Sequence, residues 1–173
     1  MGRGSSKASG LAGVENRIRG DKVETAALFG PNGKAIFEKS DGLPDKVSFT
    51  EEEAKLMVDG ILTHNHPSGS TFSVADVDTA FTDGLREIRA VYNDGEYSLR
   101  RNFDIGDTIP QNYFDFAADY SAAIKKYKRS VVDAIYFKTG DVNIANKMYN
   151  DFRKDWLKAN SSNYGWTYKE GKR

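Results

Sequence analysis

The stretch spanning residues 61–78 constrains the fold more than any other part of the sequence. It reads ILTHNHPSGSTFSVADVD and contains the only two histidines of the chain, His64 and His66. The apolar residues 61–62 predict a short buried strand that leads into the histidines, and residues two apart on a strand point to the same face. Pro67 has no backbone N–H, so we expect the strand to end there. Both imidazoles can therefore reach one metal ion.

The residues after this strand predict a loop and then a helix. Residues 68–70 read Ser-Gly-Ser, which is typical of a loop. Ser73 fits the N-cap of a helix, and Asp76 occupies the third helical position, as in a capping box. A carboxylate at that position lies in the first helical turn, close to the end of the preceding strand.

Two histidines on one face and one carboxylate form a three-ligand set. Catalytic zinc sites use three protein ligands and leave the fourth position to water. We therefore predict a zinc site with His64, His66 and Asp76 as its ligands. The alternative is a solvated loop with two surface histidines and an ordinary capping box. Asp78 is an alternate ligand, although on a helix it faces away from Asp76.

The order His64-x-His66-Pro67 and then Ser73-x-x-Asp76 resembles the motif of the JAMM (JAB/MPN+) zinc metalloproteases. The wording THNHPSG is most similar to the RadC-type bacterial branch, and the resemblance covers about residues 23–99. One departure is the loop before the serine, which usually has seven residues in that family and has six here. Because Gly69 tolerates unusual backbone angles, we expect the loop to tighten and Asp76 still to reach the metal.

The resemblance implies a fold, an activity and two further site residues. The fold would be α/β, a mixed β-sheet flanked by helices with cytidine-deaminase-like layering. The activity would be that of a zinc-dependent peptidase or isopeptidase acting on a protein or peptide substrate. A glutamate on the first strand is the catalytic base in JAMM proteins, and Glu24 matches it by position, with Glu15 as a second choice. Ser73 would hydrogen-bond the developing oxyanion.

Other classes of function stay open at this stage. One is a non-catalytic binding module similar to an MPN scaffold. Another follows from a looser similarity, through ENRIR, HNHPSG and EIRAV, to modules of phage minor-head proteins and bacterial toxins. A third is a nucleic-acid-associated protein of the RadC type that uses basic C-terminal helices. Tyr127 lies between basic residues there, but a tyrosine on the buried face of a basic helix is the simpler interpretation.

Charge and composition limit these classes. Residues 1–110 carry 13 Lys and Arg against 18 Asp and Glu, whereas residues 111–173 carry 12 against 7, so the two parts have opposite net charges of −5 and +5. A protein that coats nucleic acid uniformly is not expected from this balance. The chain has no cysteine, which excludes disulfides and thiolate metal sites. No apolar run approaches about 18 residues, and no signal peptide is evident, so we expect a cytoplasmic bacterial or phage-encoded protein without a membrane span.

The chain divides into three predicted parts: a flexible lead over residues 1–13, a metallo-hydrolase core over residues 14–108 and a helical extension over residues 109–173. The core contains two predicted hairpins, in which strands 23–29 and 34–38 flank Pro-Asn-Gly and strands 88–92 and 97–100 flank Asn-Asp-Gly-Glu. The residues flanking these turns predict two antiparallel strand pairs of one sheet.

Helices are predicted from caps and from apolar residues three and four positions apart. Thr50 and Glu53 form a capping box for a helix that should run through Val58, with Gly60 at its C′ position. The extension predicts a helix from Tyr113 to Tyr127, a continuation to Tyr136 after a break near Ser130, and a further helix capped by Asp141. Its expected apolar positions include Ile144, Met148, Phe152 and Leu157. We expect these helices to pack on the sheet or on a partner.

Overall fold

A computed structural model describes residues 10–173, so residues 1–9 of the predicted lead lie outside the described part. The strands are β1 (Ala26–Phe29), β2 (Ala35–Lys39), β3 (Ile61–Asn65), β4 (Glu87–Tyr92), β5 (Gly95–Arg101) and β6 (Trp166–Lys172). The α-helices are α1 (Leu11–Ile18), α2 (Glu51–Lys55), α3 (Val74–Thr82), α4 (Phe116–Tyr127), α5 (Asp133–Thr139) and α6 (Val142–Asn160). Because α1 begins at Leu11, the last residues assigned to a flexible lead belong to a helix.

The six strands form one mixed sheet in the order β2-β1-β3-β4-β5-β6. Only β3 and β4 run parallel, and every other neighbouring pair is antiparallel. The predicted α/β class is confirmed, with helices on both faces of the sheet. Both predicted hairpins are present as the pairs β1–β2 and β4–β5.

The two faces of the sheet bury different clusters because side chains alternate along each strand. One face packs against α3, α4 and α6 and includes Leu28, Leu62, Ile88 and Leu99. The other face packs against α1 in a smaller cluster around Ile18. The helices of the extension therefore add their apolar residues to the core of the sheet instead of forming a core of their own.

The segment after Thr50 forms a shorter helix than the sequence predicts. The capping box of Thr50 and Glu53 is present, but α2 ends after Lys55, and the exposed side chain of Val58 lies beyond the helix. Asp59, not Gly60, has the left-handed backbone, with a φ of 57°. Position 60 needs a glycine because the backbone of β1 passes close to it. A Cβ atom there would lie 2.9 Å from the carbonyl oxygen of Phe29.

The helices of the extension follow the sequence prediction with two corrections. The predicted break near Ser130 is a π-helical turn, Lys128–Val132, which joins α4 to α5. Asp141 caps α6 as predicted by accepting hydrogen bonds from the backbone N–H groups of Asn143 and Ile144. The Ile144 side chain itself is 46% exposed, so it is not a core position.

The last segment of the chain is a strand that completes the sheet. β6 pairs antiparallel with β5 along its whole length, so residues after α6 extend the sheet at one edge. Trp166, at the start of this strand, is fully buried in the main core. The chain thus returns to the core at Trp166. Within residues 10–173, no helix is both long enough and apolar enough to cross a membrane.

Truncation of a buried side chain in α6 should test whether the extension belongs to the core. Leu157 is fully buried, so we expect Leu157→Ala to lower the free energy of unfolding by about 2–5 kcal/mol. Ile144→Ala on the same helix is the matched control and should cost less than about 1 kcal/mol, because that side chain is already half exposed. Urea unfolding followed by tryptophan fluorescence measures both, and equal losses would contradict the proposed packing of α6.

Candidate metal centre

Strand β3 places both histidines on the face of the sheet that α3 covers. His64 and His66 are buried, with exposed fractions of 2% and 8%. Their Nε2 atoms lie 2.8 Å apart. The prediction that the two imidazoles share one face is therefore confirmed by their geometry.

The segment that leads into β1 brings Glu24 to the same cluster. Ala26 pairs with His64 in the antiparallel register of β1 and β3, so Glu24, two residues earlier, lies on the same face beside His66. The Glu24 side chain is buried, and its carboxylate and the two imidazoles each offer an atom within 4.8 Å of the others. The structure thus joins the predicted base to the predicted ligands.

Helix α3 supplies the carboxylate of Asp76. Ser73 is the N-cap of this helix, as predicted, and Asp76 completes a capping box. The Oδ1 atom of Asp76 lies 3.2 Å from His64 Nε2, and Oδ2 lies 3.5 Å from His66 Nε2. The six-residue loop is accommodated as expected, since Gly69 takes a φ of 71°. Asp78 is exposed on another side of the helix.

Tetrahedral zinc with bonds of about 2.0–2.1 Å places its ligand atoms about 3.3 Å apart. The Nε2 atoms of the histidines are 2.8 Å apart, and they lie 3.2 and 3.5 Å from two different oxygens of Asp76. Glu24 also offers an oxygen within 4.8 Å of both imidazoles, so either carboxylate can complete a ligand set with the histidines. The Nδ1 atom of His66 lies 2.6 Å from the carbonyl oxygen of Ser70, to which it can donate. Such a bond directs the Nε2 lone pair inward, as in many histidine ligands. Two Nε2 lone pairs this close need a proton or a metal cation between them.

Side chains from the C-terminal half of the chain anchor the loop that carries this geometry. They come from β5, β6, α4 and α6, and each bonds a backbone or hydroxyl group of residues 69–72. These contacts are Tyr97 Oη to the Gly69 carbonyl, Tyr120 Oη to the Phe72 carbonyl, the Thr71 N–H to Asn150 Oδ1, and Thr71 Oγ1 with Tyr168 Oη, all between 2.7 and 2.9 Å. The loop is therefore fixed by residues far away in the sequence.

Asn65 positions the segment that carries Glu24. It lies between the two histidines on β3, so its side chain points to the opposite face of the sheet. Its Oδ1 accepts a hydrogen bond from the Thr25 N–H at 2.7 Å, and its Nδ2 donates to the carbonyls of Asp21 and Val23. Sequence reasoning missed this role. The available signal was a polar residue in a buried strand, which must find partners inside the protein.

Glu15, the second choice for the base, lies on the other face of the sheet. Its Oε1 atom accepts hydrogen bonds from Thr63 Oγ1 at 2.9 Å and from Arg89 Nε at 2.6 Å. Thr63 points away from the face that carries His64 because the two residues are adjacent on β3. Glu15 thus belongs to a buried ion pair behind the sheet, whereas Glu24 lies with the histidines.

The Ser73 hydroxyl is fully engaged with Asp76. It accepts a hydrogen bond from the Asp76 N–H at 3.1 Å and donates one to Asp76 Oδ2 at 2.8 Å. The Ser73 N–H donates to the same oxygen at 2.7 Å. In this arrangement Ser73 orients the Asp76 carboxylate. Both of its hydrogen bonds to the carboxylate go to Oδ2, so Asp76 Oδ1 accepts none from Ser73. Donation by Ser73 to an oxyanion would require the hydroxyl to rotate away from Asp76.

Burial and mutual charge shift the pKa values of the cluster in different directions. Burial raises the pKa of Glu24 to about 7, with the charge of His64 opposing the shift and that of Asp76 adding to it. Burial and the neighbouring His64 charge lower the pKa of His66 to about 4. For Asp76, burial favours the neutral acid, but the histidines and the Ser73 N–H outweigh it and lower the pKa. A carboxyl group that titrates near neutrality beside two imidazoles is suited to proton transfer.

Two small cavities open onto the cluster, and both touch Glu24 and Asp76. One of about 80 Å³ is bounded by Glu24, His64 and Asp76 and continues along apolar side chains that include Val47 and Phe49. The other, of about 150 Å³, touches Glu24, His66 and Asp76 and is lined further by the loop after His66, including Ser68 and Ser70, and by residues 44–45. Glu24 and Asp76 can therefore be reached through either cavity.

Compared with known protein families, with curated proteins and with solved structures, the chain gives no significant match. The fold and the site define an α/β protein with a candidate metal centre. The resemblance of its motif to the JAMM family is carried by the residues alone.

The assignment of Asp76 as the third ligand can be tested against Asp78. Asp76→Asn removes the charge that faces the histidines, so zinc affinity should fall at least tenfold, whereas Asp78→Asn should leave it unchanged because Asp78 is exposed on another side of α3. Competition with a chromophoric chelator measures both affinities. If Asp78→Asn weakens binding more than Asp76→Asn does, Asp76 is not a ligand.

The raised pKa of Glu24 predicts that the free energy of unfolding of the metal-free protein falls as pH rises. Glu24 ionises near its ordinary 4.5 in the unfolded chain but near 7 in the folded chain, so the folded state holds more protons between these values and stability falls as pH rises. Glu24→Gln removes this effect. In a chelator, the variant should exceed wild type by about 1–2 kcal/mol at pH 8 and by much less at pH 4.5. A pH-independent difference in urea unfolding would contradict the assigned burial.

Proposed function

We propose that this protein is a zinc-dependent peptidase or isopeptidase that uses Glu24 as its catalytic base. The observation that carries the proposal is one buried cluster in which Glu24, two histidines and Asp76 converge from three separate elements. Three nitrogen and oxygen ligands with a further carboxylate beside them are the components of a hydrolytic zinc site. His64, His66 and Asp76 would hold the ion.

A zinc ion held there would supply Lewis acidity and would lower the pKa of a bound water toward 7. Glu24 would accept the proton of the attacking water and pass it to the leaving amine. Burial, which raises the pKa of this carboxyl in the metal-free site, suits it to take up a proton and pass it on. Burial of the carboxylate also keeps it from being solvated by bulk water, so its basicity is retained for the reaction.

The other residues of the site would hold the reactive groups in place. Ser73 fixes one oxygen of Asp76 through two hydrogen bonds, and the Ser70 carbonyl orients His66. Asn65 secures the backbone on both sides of Glu24. We assign Ser73 first to the orientation of Asp76. Stabilisation of an oxyanion by its hydroxyl, which the JAMM resemblance implies, would follow rotation of that group.

The JAMM resemblance supports the same class of reaction. The order of the residues along the chain agrees with that motif, from the glutamate before the histidine pair to the serine and aspartate of the next helix. The mixed sheet with the site at the β3–α3 loop is the arrangement that the resemblance implies. The proposed substrate is a protein or peptide.

Binding of nucleic acid has less support from the side chains. The ring of Tyr127 stacks on Phe152 at a centroid distance of 4.0 Å and an angle of 3°. That face of the ring is therefore covered within the protein, whereas single-stranded nucleic acid needs aromatic faces that bases can stack on. A non-catalytic binding module remains the second candidate, and its distinguishing property is that Glu24 would be dispensable.

Replacement of Glu24 separates the enzyme from a binding module. Zinc-loaded Glu24→Gln should keep its metal and lose hydrolysis by on the order of 10²–10⁴-fold, because the amide cannot accept a proton. The substrates are pools of N-acetylated peptides, with products detected by mass spectrometry. Asp78→Asn is the matched control and should retain full activity, since its carboxylate lies outside the cluster.

Two outcomes would contradict the proposal in different ways. Hydrolysis at wild-type rates by Glu24→Gln would remove the role of Glu24 as the base. A wild-type protein that holds zinc and cleaves no peptide bond in any pool would favour the non-catalytic module.

A further inference from the structure

Arg153 on α6 is a buried cation without an acidic partner. Arg153 is only 8% exposed, and its Nε atom is buried without a hydrogen-bond partner. One terminal nitrogen makes a single long contact of 3.4 Å to Asn150 Oδ1, and the guanidinium lies 4.6 Å from the centre of the Tyr149 ring. Among residues 10–173, no carboxylate lies within 4.0 Å of it. An unpaired buried charge is costly, and a bound anion would supply the missing partner.

The guanidinium borders a cavity lined by polar groups, among them a second cation, Lys147, which also pairs with Asp151 at 2.5 Å. The cavity has a volume of about 540 Å³, and its lining includes Arg153 and Lys147 but no acidic residue. The remaining lining residues are Ser68 and Ser70, Tyr149 and three asparagines, which contribute hydroxyl and side-chain amide groups. Hydroxyl, amide and guanidinium N–H groups around one space form a suitable site for an anion.

This cavity adjoins the metal centre through the loop after His66. Ser68 and Ser70 line it and also line the polar cavity that touches Glu24, His66 and Asp76. The Ser70 carbonyl is the acceptor for His66 Nδ1. A substrate that extends from the reactive centre along the Ser68–Ser70 wall would therefore reach the Arg153 cavity.

We propose that the Arg153 cavity binds a carboxylate of the substrate, close to the bond that is cleaved. The inference rests on the proposed peptidase function, because a peptide chain then supplies the anion. The planar guanidinium matches the two oxygens of a carboxylate, and its terminal Nη2 atom makes only the long contact with Asn150. The carboxylate is either the C-terminus of a short substrate or an Asp or Glu side chain beside the scissile bond. The substrate class is thus an acidic or C-terminal peptide segment.

A binding experiment tests the carboxylate without requiring catalysis. Zinc-loaded Glu24→Gln protein is titrated with N-acetylated tetrapeptide pools that end in a free acid or in an amide. Two further pools both end in an amide. The third pool contains Asp or Glu at the last two positions, and the fourth pool contains Asn or Gln there. One charge-assisted contact should favour the carboxylate pool of a pair by about ten- to a hundredfold, and the pair that shows the preference identifies the source.

Variants of α6 connect that preference to Arg153. In the same Glu24→Gln background, Arg153→Gln should reduce the preference to about onefold, and Arg153→Lys should retain part of it. Lys158→Gln is the matched control, because it removes an exposed cation from the same helix outside the cavity and should change nothing. If Arg153→Gln fails to fold, as judged by circular dichroism, the comparison of the four pools with the Glu24→Gln protein still tests whether a carboxylate is preferred.

Several results would overturn the inference. Equal binding of carboxylate and amide pools, or a preference that survives in folded Arg153→Gln, would contradict it. Arg153-dependent binding of inorganic phosphate without binding of carboxylate peptides would also contradict it. If the wild-type protein hydrolyses the acid and amide pools with equal kcat/KM, the result would contradict carboxylate binding but not the peptidase function. Absence of hydrolysis together with an Arg153-dependent preference would instead contradict the peptidase function alone.

Discussion

The alternation of side chains along β3 is the constraint on which the site depends. His64 projects to the face covered by α3, while Thr63 and Asn65 project to the opposite face. The strand thereby offers ligands on one side and, through Asn65, holds the backbone beside Glu24 from the other. A shift of register by one residue would reverse all of these directions together. The buried neighbours on both faces make such a shift costly.

The C-terminal half of the chain stabilises the centre at a distance in sequence. It completes the core and the sheet, and its tyrosines and Asn150 bind the loop between the histidines and α3. A short loop held in this way keeps Asp76 close to the imidazoles. The same burial that fixes the geometry raises the pKa of Glu24, so the site is expected to lower the stability of the metal-free protein.

Local patterns were sufficient for the parts of the fold and site that depend on neighbouring residues. The H-x-H spacing, the capping box of Ser73 and Asp76, and both hairpin turns each correspond to a physical rule of short range, and the structure contains them. The strand at residues 166–172, the loop anchors and the position of Arg153 depend on contacts between distant segments, which a single sequence does not reveal. The predicted end of α2 is wrong because the apolar residues 56–58 continue the helical spacing, whereas the chain turns at Asp59.

The central claim is that the two histidines and Asp76 form a zinc site, and X-ray absorption at the zinc K-edge tests it most directly. The protein, loaded with one equivalent of zinc and desalted, should show a four-coordinate ion with two imidazole ligands and oxygen ligands at about 2.0–2.2 Å. His64→Ala should lose one imidazole from the spectrum or release the metal. Zinc that is removed by desalting, or a bound ion without imidazole scattering, would contradict the account.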